Sequence, residues 1–92
     1  MLPAYLHRFF WEHKPEDLCE VKHSFYITER LLEHGDDEAI NWLLRRYGRK
    51  HIIEVVLKSR RISRKTANFW SNIYSLRKDE VYCLNQLSQS QG

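Results

Sequence analysis

Residues 52–76, IIEVVLKSRRISRKTANFWSNIYSL, decide the fold of this chain. An apolar segment leads into the basic connector 58–62, and a second segment with helical periodicity opens at Ser63. Four residues of that second segment recur at spacings of three and four and predict one buried helix face: Ala67, Trp70, Ile73 and Tyr74. Ser63 suits the N-cap of this helix, because its hydroxyl can accept a hydrogen bond from an exposed amide of the first turn.

The opposite face of this helix is polar and basic. The candidate nucleic-acid-binding residues on it and in the connector are Arg60, Arg61, Ser63, Arg64, Lys65, Asn68, Ser71 and Asn72. Such side chains bind phosphates and base edges, and a helix, a turn and a polar second helix are typical of a helix-turn-helix. The connector departs from that motif, because it lacks glycine and is about one or two residues too long. Two antiparallel helices with a solvated basic corner therefore stay an open alternative.

The composition predicts a single all-α domain. The chain has 92 residues, which is enough for one core, and contains only two Pro and three Gly. No segment alternates between apolar and polar residues as an exposed strand would. No apolar run approaches the roughly 18 residues of a membrane span, and the first residues lack a signal-peptide pattern. Two isolated Cys residues then favour a reducing, cytoplasmic setting.

Glycines and caps divide the chain into a compact bundle of four main helices. The predicted helices are 22–34, 37–47, 49–59 and 63–76, with an N-terminal arm and short helix at 1–21 and a last short helix and tail at 77–92. Gly35 and Gly48 end the first two helices, and Asp36 or Asp37 caps the second. Residues 52–57 are rich in β-branched side chains, so a strand is the alternative there, but the flanking sequence favours a helix.

The apolar pattern also predicts the core. Six residues should lie in or near it: Trp42, Ile53, Val56, Leu57, Trp70 and Ile73. The helix 22–34 should direct Phe25, Thr28, Leu31 and Leu32 inward. Glu29 and Glu33, four residues apart, are interpreted as part of a solvated acidic face on the outside of that helix. In the last segment, Asp79 should cap a short helix that holds Val81, Leu84 and Leu87.

The net charge of +3 conceals a marked asymmetry. Residues 12–38 contain nine acidic and three basic side chains, whereas residues 45–65 contain nine basic and one acidic. A basic cluster of this kind attracts phosphates or an acidic protein surface. The alternative is a solvated helix face without a partner.

No sequence motif indicates catalysis. The chain has no phosphate-binding glycine-rich loop, no HExxH pattern and no nucleophile elbow, so we expect a non-enzymatic protein without a cofactor. Cys19 and His23 are four residues apart, which gives half of a metal site on a helix. His34, His51 or Cys83 would have to complete it, and no spacing requires that, so no metal is expected.

Several short sequence segments occur in the same order as in a known protein family. They are FFWE at 9–12, FYITERLL at 25–32, HGD at 34–36, WLL at 42–44, YG at 47–48, SRRIS at 59–63 and TANFW at 66–70. Over residues 9–76 the chain resembles a small, uncharacterised prokaryotic all-helical family. Its members are antitoxin-like and are often encoded beside an AbiEii-type nucleotidyltransferase toxin. The resemblance implies that the chain binds and neutralises a toxin-type protein partner. It also implies binding to the promoter of its own operon.

Two functional hypotheses follow. The first is a DNA-binding or antitoxin-type regulator that contacts duplex DNA through the helix-turn-helix-like element. The alternative is a protein-protein interaction module that neutralises a partner and does not bind nucleic acid. Salt-dependent DNA binding separates the two, because phosphate contacts release counterions.

Overall fold

The computed structural model describes residues 2–85, and within that range it contains helices and no β-strand. Four α-helices form the body of the molecule: α1 (Ser24–His34), α2 (Asp37–Arg46), α3 (Arg49–Lys58) and α4 (Arg64–Ile73). Short 3-10 helices lie at Ala4–Phe10, Pro15–Asp17, Lys78–Glu80 and Tyr82–Leu84. The predicted all-α fold with four main helices is confirmed, and residues 52–57 form helix rather than strand.

The apolar helix α3 is the centre of the fold. It packs against α1, α2, α4 and the 3-10 helix Tyr82–Leu84. Its residues Ile52, Val55 and Val56 have no exposed surface. Full burial of such a side chain contributes about 1.5–3 kcal/mol, so α3 supplies much of the hydrophobic stabilisation. The 3-10 helix Ala4–Phe10 packs against α1 and buries Leu6, Phe9 and Phe10.

The predicted N-caps of α2 and α4 are confirmed. Oδ1 of Asp36 accepts a hydrogen bond from the amide of Ala39 at 2.9 Å, at the start of α2. The hydroxyl of Ser63 accepts from the amide of Thr66 at 3.1 Å, at the start of α4. Each cap satisfies an amide that has no partner within its helix, which stabilises the helix by about 1 kcal/mol.

The two glycines that end helices do so for different reasons. Gly48 follows α2 with a φ of +93°, a left-handed conformation that side chains disfavour. Gly35 has an ordinary extended backbone, but a Cβ there would lie 2.5 Å from the carbonyl oxygen of Leu31 and 2.9 Å from Cβ of Ala39. Gly35 is therefore required by the close approach of α1 and α2.

The buried face of α4 differs from the predicted one at a single turn. Ala67 and Trp70 are buried as expected, but Ile73 is 55% exposed and Ser71 is 1% exposed. The placement of Ile73 in the core was wrong. The helix also ends at Ile73 instead of residue 76, because Ser75 adopts a φ of +54° and the amide of Leu76 donates to the carbonyl of Ser71 at 2.8 Å. This is a Schellman-type helix end.

Most of the remaining core predictions are confirmed. Trp42 and Val56 are buried, as are Thr28, Leu31 and Leu32, while Ile53 and Leu57 are half-buried. Phe25 was predicted to lie in the core but is 37% exposed. It shares a helical stripe with Leu32, but it lies in the first turn of α1, where a cleft opens instead of a packed neighbour.

The last segment forms two 3-10 helices instead of one helix capped by Asp79. Asp79 accepts hydrogen bonds from the guanidinium group of Arg77, and Val81 is fully buried. Leu87, predicted to lie on that helix, falls outside the described residues. Between residues 2 and 85, no helix has the length and apolar character needed to cross a membrane.

Candidate nucleic-acid interface

The basic turn (residues 59–63) joins α3 to α4 and is organised by one buried serine. The hydroxyl of Ser59 accepts hydrogen bonds from the amides of Arg61 and Ile62, at 3.2 and 3.3 Å. The same hydroxyl donates to Oε2 of Glu29 at 2.6 Å. Serine side chains can replace backbone hydrogen bonds in this way. The turn is therefore ordered even though it is long and contains no glycine.

Two carboxylates of α1, one helical turn apart, hold the two ends of the basic turn. Glu29 is only 6% exposed and binds Ser59, while Oε1 of Glu33 accepts from the amide of Ser63 at 2.7 Å. The interpretation of Glu29 as part of a solvated face was wrong, because its partner lies 30 residues further along the chain. Both contacts fix the basic turn against α1.

Cys83 holds the same turn from the C-terminal segment. Its Sγ donates to the carbonyl oxygens of Ser59 and Ile62, at 3.1 and 3.2 Å. Burial raises the pKa of the Cys83 thiol, and the nearby carboxylates of Glu29 and Glu33 raise it further. The thiol therefore stays protonated and can donate at neutral pH.

We expect alkylation to distinguish the two cysteines. Cys19 is exposed, and hydrogen bonds from the amides of Lys22 and Val21 lower the pKa of its thiol, so more of it is the reactive thiolate. Cys83 reacts only when the structure opens. Mass spectrometry after iodoacetamide treatment of the folded protein should show Cys19 modified about 100-fold faster. In urea the two alkylation rates should converge. Equal rates in the folded protein would show that Cys83 is not buried against the basic turn.

Aromatic rings position the exposed guanidinium groups of the basic turn. Cζ of Arg60 lies 4.7 Å from the ring centroid of Tyr82, and Cζ of Arg61 lies 5.7 Å from that of Tyr26. Within residues 2–85, neither arginine forms an ion pair with a carboxylate. A cation–π contact orients a guanidinium group without neutralising its charge. Both arginines can therefore bind an anion.

The basic cleft lies between the start of α1 and the basic turn and has a volume of about 380 Å³. Its lining residues are Lys22, His23, Phe25, Tyr26, Glu29, Lys58, Arg60 and Arg61. Four of them are exposed cations, although Lys58 also forms an exposed pair with Glu54 at 3.7 Å. Among the lining residues that the structure describes, the one carboxylate is that of Glu29, which is buried and engaged by Ser59. Such a lining attracts phosphate groups.

The sequence did not reveal Lys22 and Phe25 as members of this cleft. Lys22 belongs to the acidic half of the chain, and the periodicity of α1 assigns Phe25 to the core. The only signal is that Phe25 precedes Glu29 by one turn on the same helical stripe. The fold alone brings residues 22–25 beside residues 58–61.

The predicted reading face of α4 is exposed except at one position. The exposed members are Arg64, Lys65, Asn68 and Asn72. Ser71 is buried, and its hydroxyl donates to the carbonyl of Ala67 at 2.6 Å, so its assignment as a contact residue was wrong. Nζ of Lys78 donates to Oδ1 of Asn68 at 2.5 Å, which adds a cation to this face.

A second groove, which we call the mixed groove because its lining carries both charges, is lined by two of the predicted nucleic-acid-binding residues. It has a volume of about 760 Å³ and lies between α4 and the start of α2. Lys65, Ser63 and Phe69 line it on the α4 side, and Asp36 and Asp37 line it on the other. The structure therefore places the arginines of the basic turn in the basic cleft, and Ser63 and Lys65 along a groove of mixed charge.

Cys19 and His23 lie in a turn before α1 instead of on a helix, and the amide of His23 donates to the carbonyl oxygen of Cys19 at 2.8 Å. Nδ1 of His23 accepts a hydrogen bond from the amide of Cys19 at 2.9 Å. Cys83, a candidate third ligand, is engaged by the basic turn. In the part of the chain from residue 2 to residue 85, no three His, Cys, Asp or Glu side chains converge as metal ligands would.

Comparisons with known proteins identify a family but not an activity. Residues 5–56 match the model of a family of unknown function, DUF6922. The matched part runs from the first 3-10 helix into α3; it includes Lys22 and Phe25 and stops before the basic turn. No curated protein and no solved structure matches the chain. Because the family model covers more than half of its length, the chain belongs to DUF6922.

Proposed function

We propose that the chain is a non-enzymatic, DNA-binding regulator of the antitoxin type that contacts duplex DNA through the basic turn and the exposed face of α4. The observation that supports this most strongly is the convergence of Lys22, Lys58, Arg60 and Arg61 on one cleft. Phosphate contacts of this kind dominate the affinity of DNA-binding proteins. The two free thiols suit a reducing, cytoplasmic setting for such a regulator.

The basic turn is organised before any ligand binds. Glu29 and Ser59 fix its backbone, and Tyr26 and Tyr82 orient its two guanidinium groups. Less conformational entropy is then lost on binding than with free side chains. The planar fork of a guanidinium group also matches a phosphate in two-point contacts, which favours arginine over lysine at these positions.

Sequence preference would come from the exposed amides of α4. Asn68 and Asn72 are one turn apart on its exposed face, and asparagine can pair in two-point fashion with adenine in the major groove. The ammonium group of Lys78 already orients the side chain of Asn68. In this arrangement the turn holds phosphates and α4 contacts base edges, as in a helix-turn-helix.

Salt-titrated DNA binding tests this proposal. The logarithm of the binding constant should fall linearly with the logarithm of salt concentration, with a slope of about −0.9 for each phosphate contact. Arg60→Ala and Arg61→Ala should each flatten the slope by about one unit and weaken binding to all sequences alike. Fluorescence anisotropy with a labelled duplex gives both quantities.

Arg45→Ala is the matched control for the salt titration. Arg45 is an exposed arginine of α2 outside the basic cleft, so its replacement removes the same charge without removing a proposed contact. Its slope should stay within a few tenths of the wild-type value. A folded protein that shows no DNA binding at about 50 mM salt would refute the proposal.

A protein partner is the second candidate function, and the apolar surface of α4 favours it. Phe69 and Ile73 stand one turn apart and are each 55% exposed, and Phe69 lines the mixed groove. Contiguous exposed apolar side chains are typical of protein-binding surfaces. If DNA binding is absent, the basic turn is reassigned to the acidic surface of a toxin-type partner, with Phe69 and Ile73 at the centre of that interface.

A further inference from the structure

We propose that the basic cleft binds one unpaired nucleotide of a single-stranded nucleic acid, with its base stacked on Phe25 and its phosphate held by the surrounding cations. The inference rests on the proposed nucleic-acid-binding function and specifies the ligand of the same cleft. It adds a site for a strand end or an opened base, built on Phe25, to the duplex phosphate contacts that the same cations make.

Phe25 is the residue that the duplex proposal leaves unexplained. Its ring is 37% exposed on the wall of a cleft whose other members are mostly cationic. Within residues 2–85, Phe25 stacks on no other aromatic ring, and its exposed surface lines the cleft. Exposed aromatic rings beside cations are the common platform for single-stranded nucleic acids, because every base has a π-face.

The cations of the basic cleft share it with this ring. Lys22 lies in the turn just before α1, three residues ahead of Phe25, while Arg60 and Arg61 belong to the basic turn. The two guanidinium groups are held by Tyr82 and Tyr26 and carry no ion pair within the described range. A phosphate next to the stacked base would therefore meet cations from two sides.

The size of the basic cleft favours a single nucleotide unit. Its volume of about 380 Å³ is at the lower end of the roughly 300–1,000 Å³ that small-molecule sites span. A paired base in a duplex cannot present its face to Phe25, because the neighbouring bases cover it. Carboxylate side chains of an acidic peptide would satisfy the cations but leave the Phe25 ring exposed. An unpaired nucleotide uses both features of the cleft.

Binding of a labelled thymidine oligomer about eight nucleotides long tests the inference. Its affinity for the wild-type chain at about 50 mM salt should exceed that of an abasic sugar-phosphate strand of equal length and charge by roughly 5- to 100-fold. Phe25→Leu should weaken binding of the thymidine oligomer by a similar factor and leave binding of the abasic strand and of a duplex unchanged. Tyr5→Leu, at an exposed aromatic ring outside the cleft, should change none of the three affinities.

The outcomes separate this inference from the proposed function. Equal affinity for the thymidine and abasic strands, with duplex binding retained, would overturn the stacking site but leave the DNA-binding regulator intact. Loss of all nucleic-acid binding in the folded wild-type chain would overturn both. The comparison of thymidine and abasic strands uses the wild-type chain alone. It therefore tests whether the base contributes to binding even if Phe25→Leu does not fold. Displacement of the thymidine oligomer by an oligoglutamate peptide at equal concentration would assign the cleft to acidic peptides and overturn the inference.

Discussion

Replacement of Trp70 by alanine is expected to lower the free energy of unfolding by about 3–5 kcal/mol. The Trp70 side chain is only 9% exposed, stacks on Tyr74 at 5.8 Å between ring centroids and meets Phe69 edge-on at 5.2 Å. A domain of this size has a total stability of about 5–14 kcal/mol, so the loss is a large fraction of it. Urea denaturation followed by circular dichroism should show a much lower midpoint, and a thermal melt should fall by more than about 12 °C.

Ile73→Ala is the control for the Trp70 experiment. Ile73 belongs to the same helix and to the predicted core, but it is 55% exposed, so its replacement should change stability by no more than about 0.5 kcal/mol. Equal losses from the two replacements would mean that α4 buries the face predicted from the sequence. A small loss from Trp70→Ala would mean that Trp70 is not part of the core.

The sequence was sufficient to predict the helices, because their boundaries depend on local chemistry. Asp36 and Ser63 cap amides within three residues, and Gly48 supplies the left-handed conformation that ends α2. These signals need no tertiary information. The four predicted helices accordingly match the observed ones to within about three residues at each end.

The rotation of α4 could not be read from the same pattern. Ile73 and Ser71 lie on either side of the helix face defined by Ala67 and Trp70. Hydrophobicity alone predicts that Ile73, and not Ser71, is buried. The structure buries Ser71, whose small side chain satisfies its hydroxyl within the helix by donating to the carbonyl of Ala67. Local satisfaction of this kind makes a serine equivalent to an apolar residue for burial.

The candidate site was predictable only as a set of cations. Arg60 and Arg61 are evident from the charge distribution, but their neighbours Lys22 and Phe25 come from a segment more than thirty residues earlier. The hydrogen bond of Glu29 to Ser59 spans a similar separation. Periodicity describes one helix at a time, so it cannot show which faces of two helices meet.

Ser59→Ala is expected to lower the free energy of unfolding by about 2–4 kcal/mol, far more than a typical loss of one hydroxyl group. The replacement leaves the buried carboxylate of Glu29 without the hydroxyl that donates to it at 2.6 Å. It also leaves the amides of Arg61 and Ile62 without their acceptor. Urea denaturation measures the loss in the free energy of unfolding. Amide hydrogen exchange at Arg61 and Ile62 measures the local loss of protection in the basic turn.

Ser71→Ala is the matched control, because Ser71 is equally buried but its hydroxyl bonds only to the carbonyl of Ala67 in its own helix. Ser71→Ala should lower the free energy of unfolding by about 1 kcal/mol or less and leave amide hydrogen exchange at Arg61 unchanged. In a Glu29→Gln background, Ser59→Ala should cost at least about 1 kcal/mol less than in the wild type, since a neutral amide is cheaper to leave unpaired than a carboxylate. Equal costs in the two backgrounds would show that Glu29 does not depend on Ser59. The link from α1 to the arginines of the basic turn would then have to run through Glu33 and its hydrogen bond to the amide of Ser63.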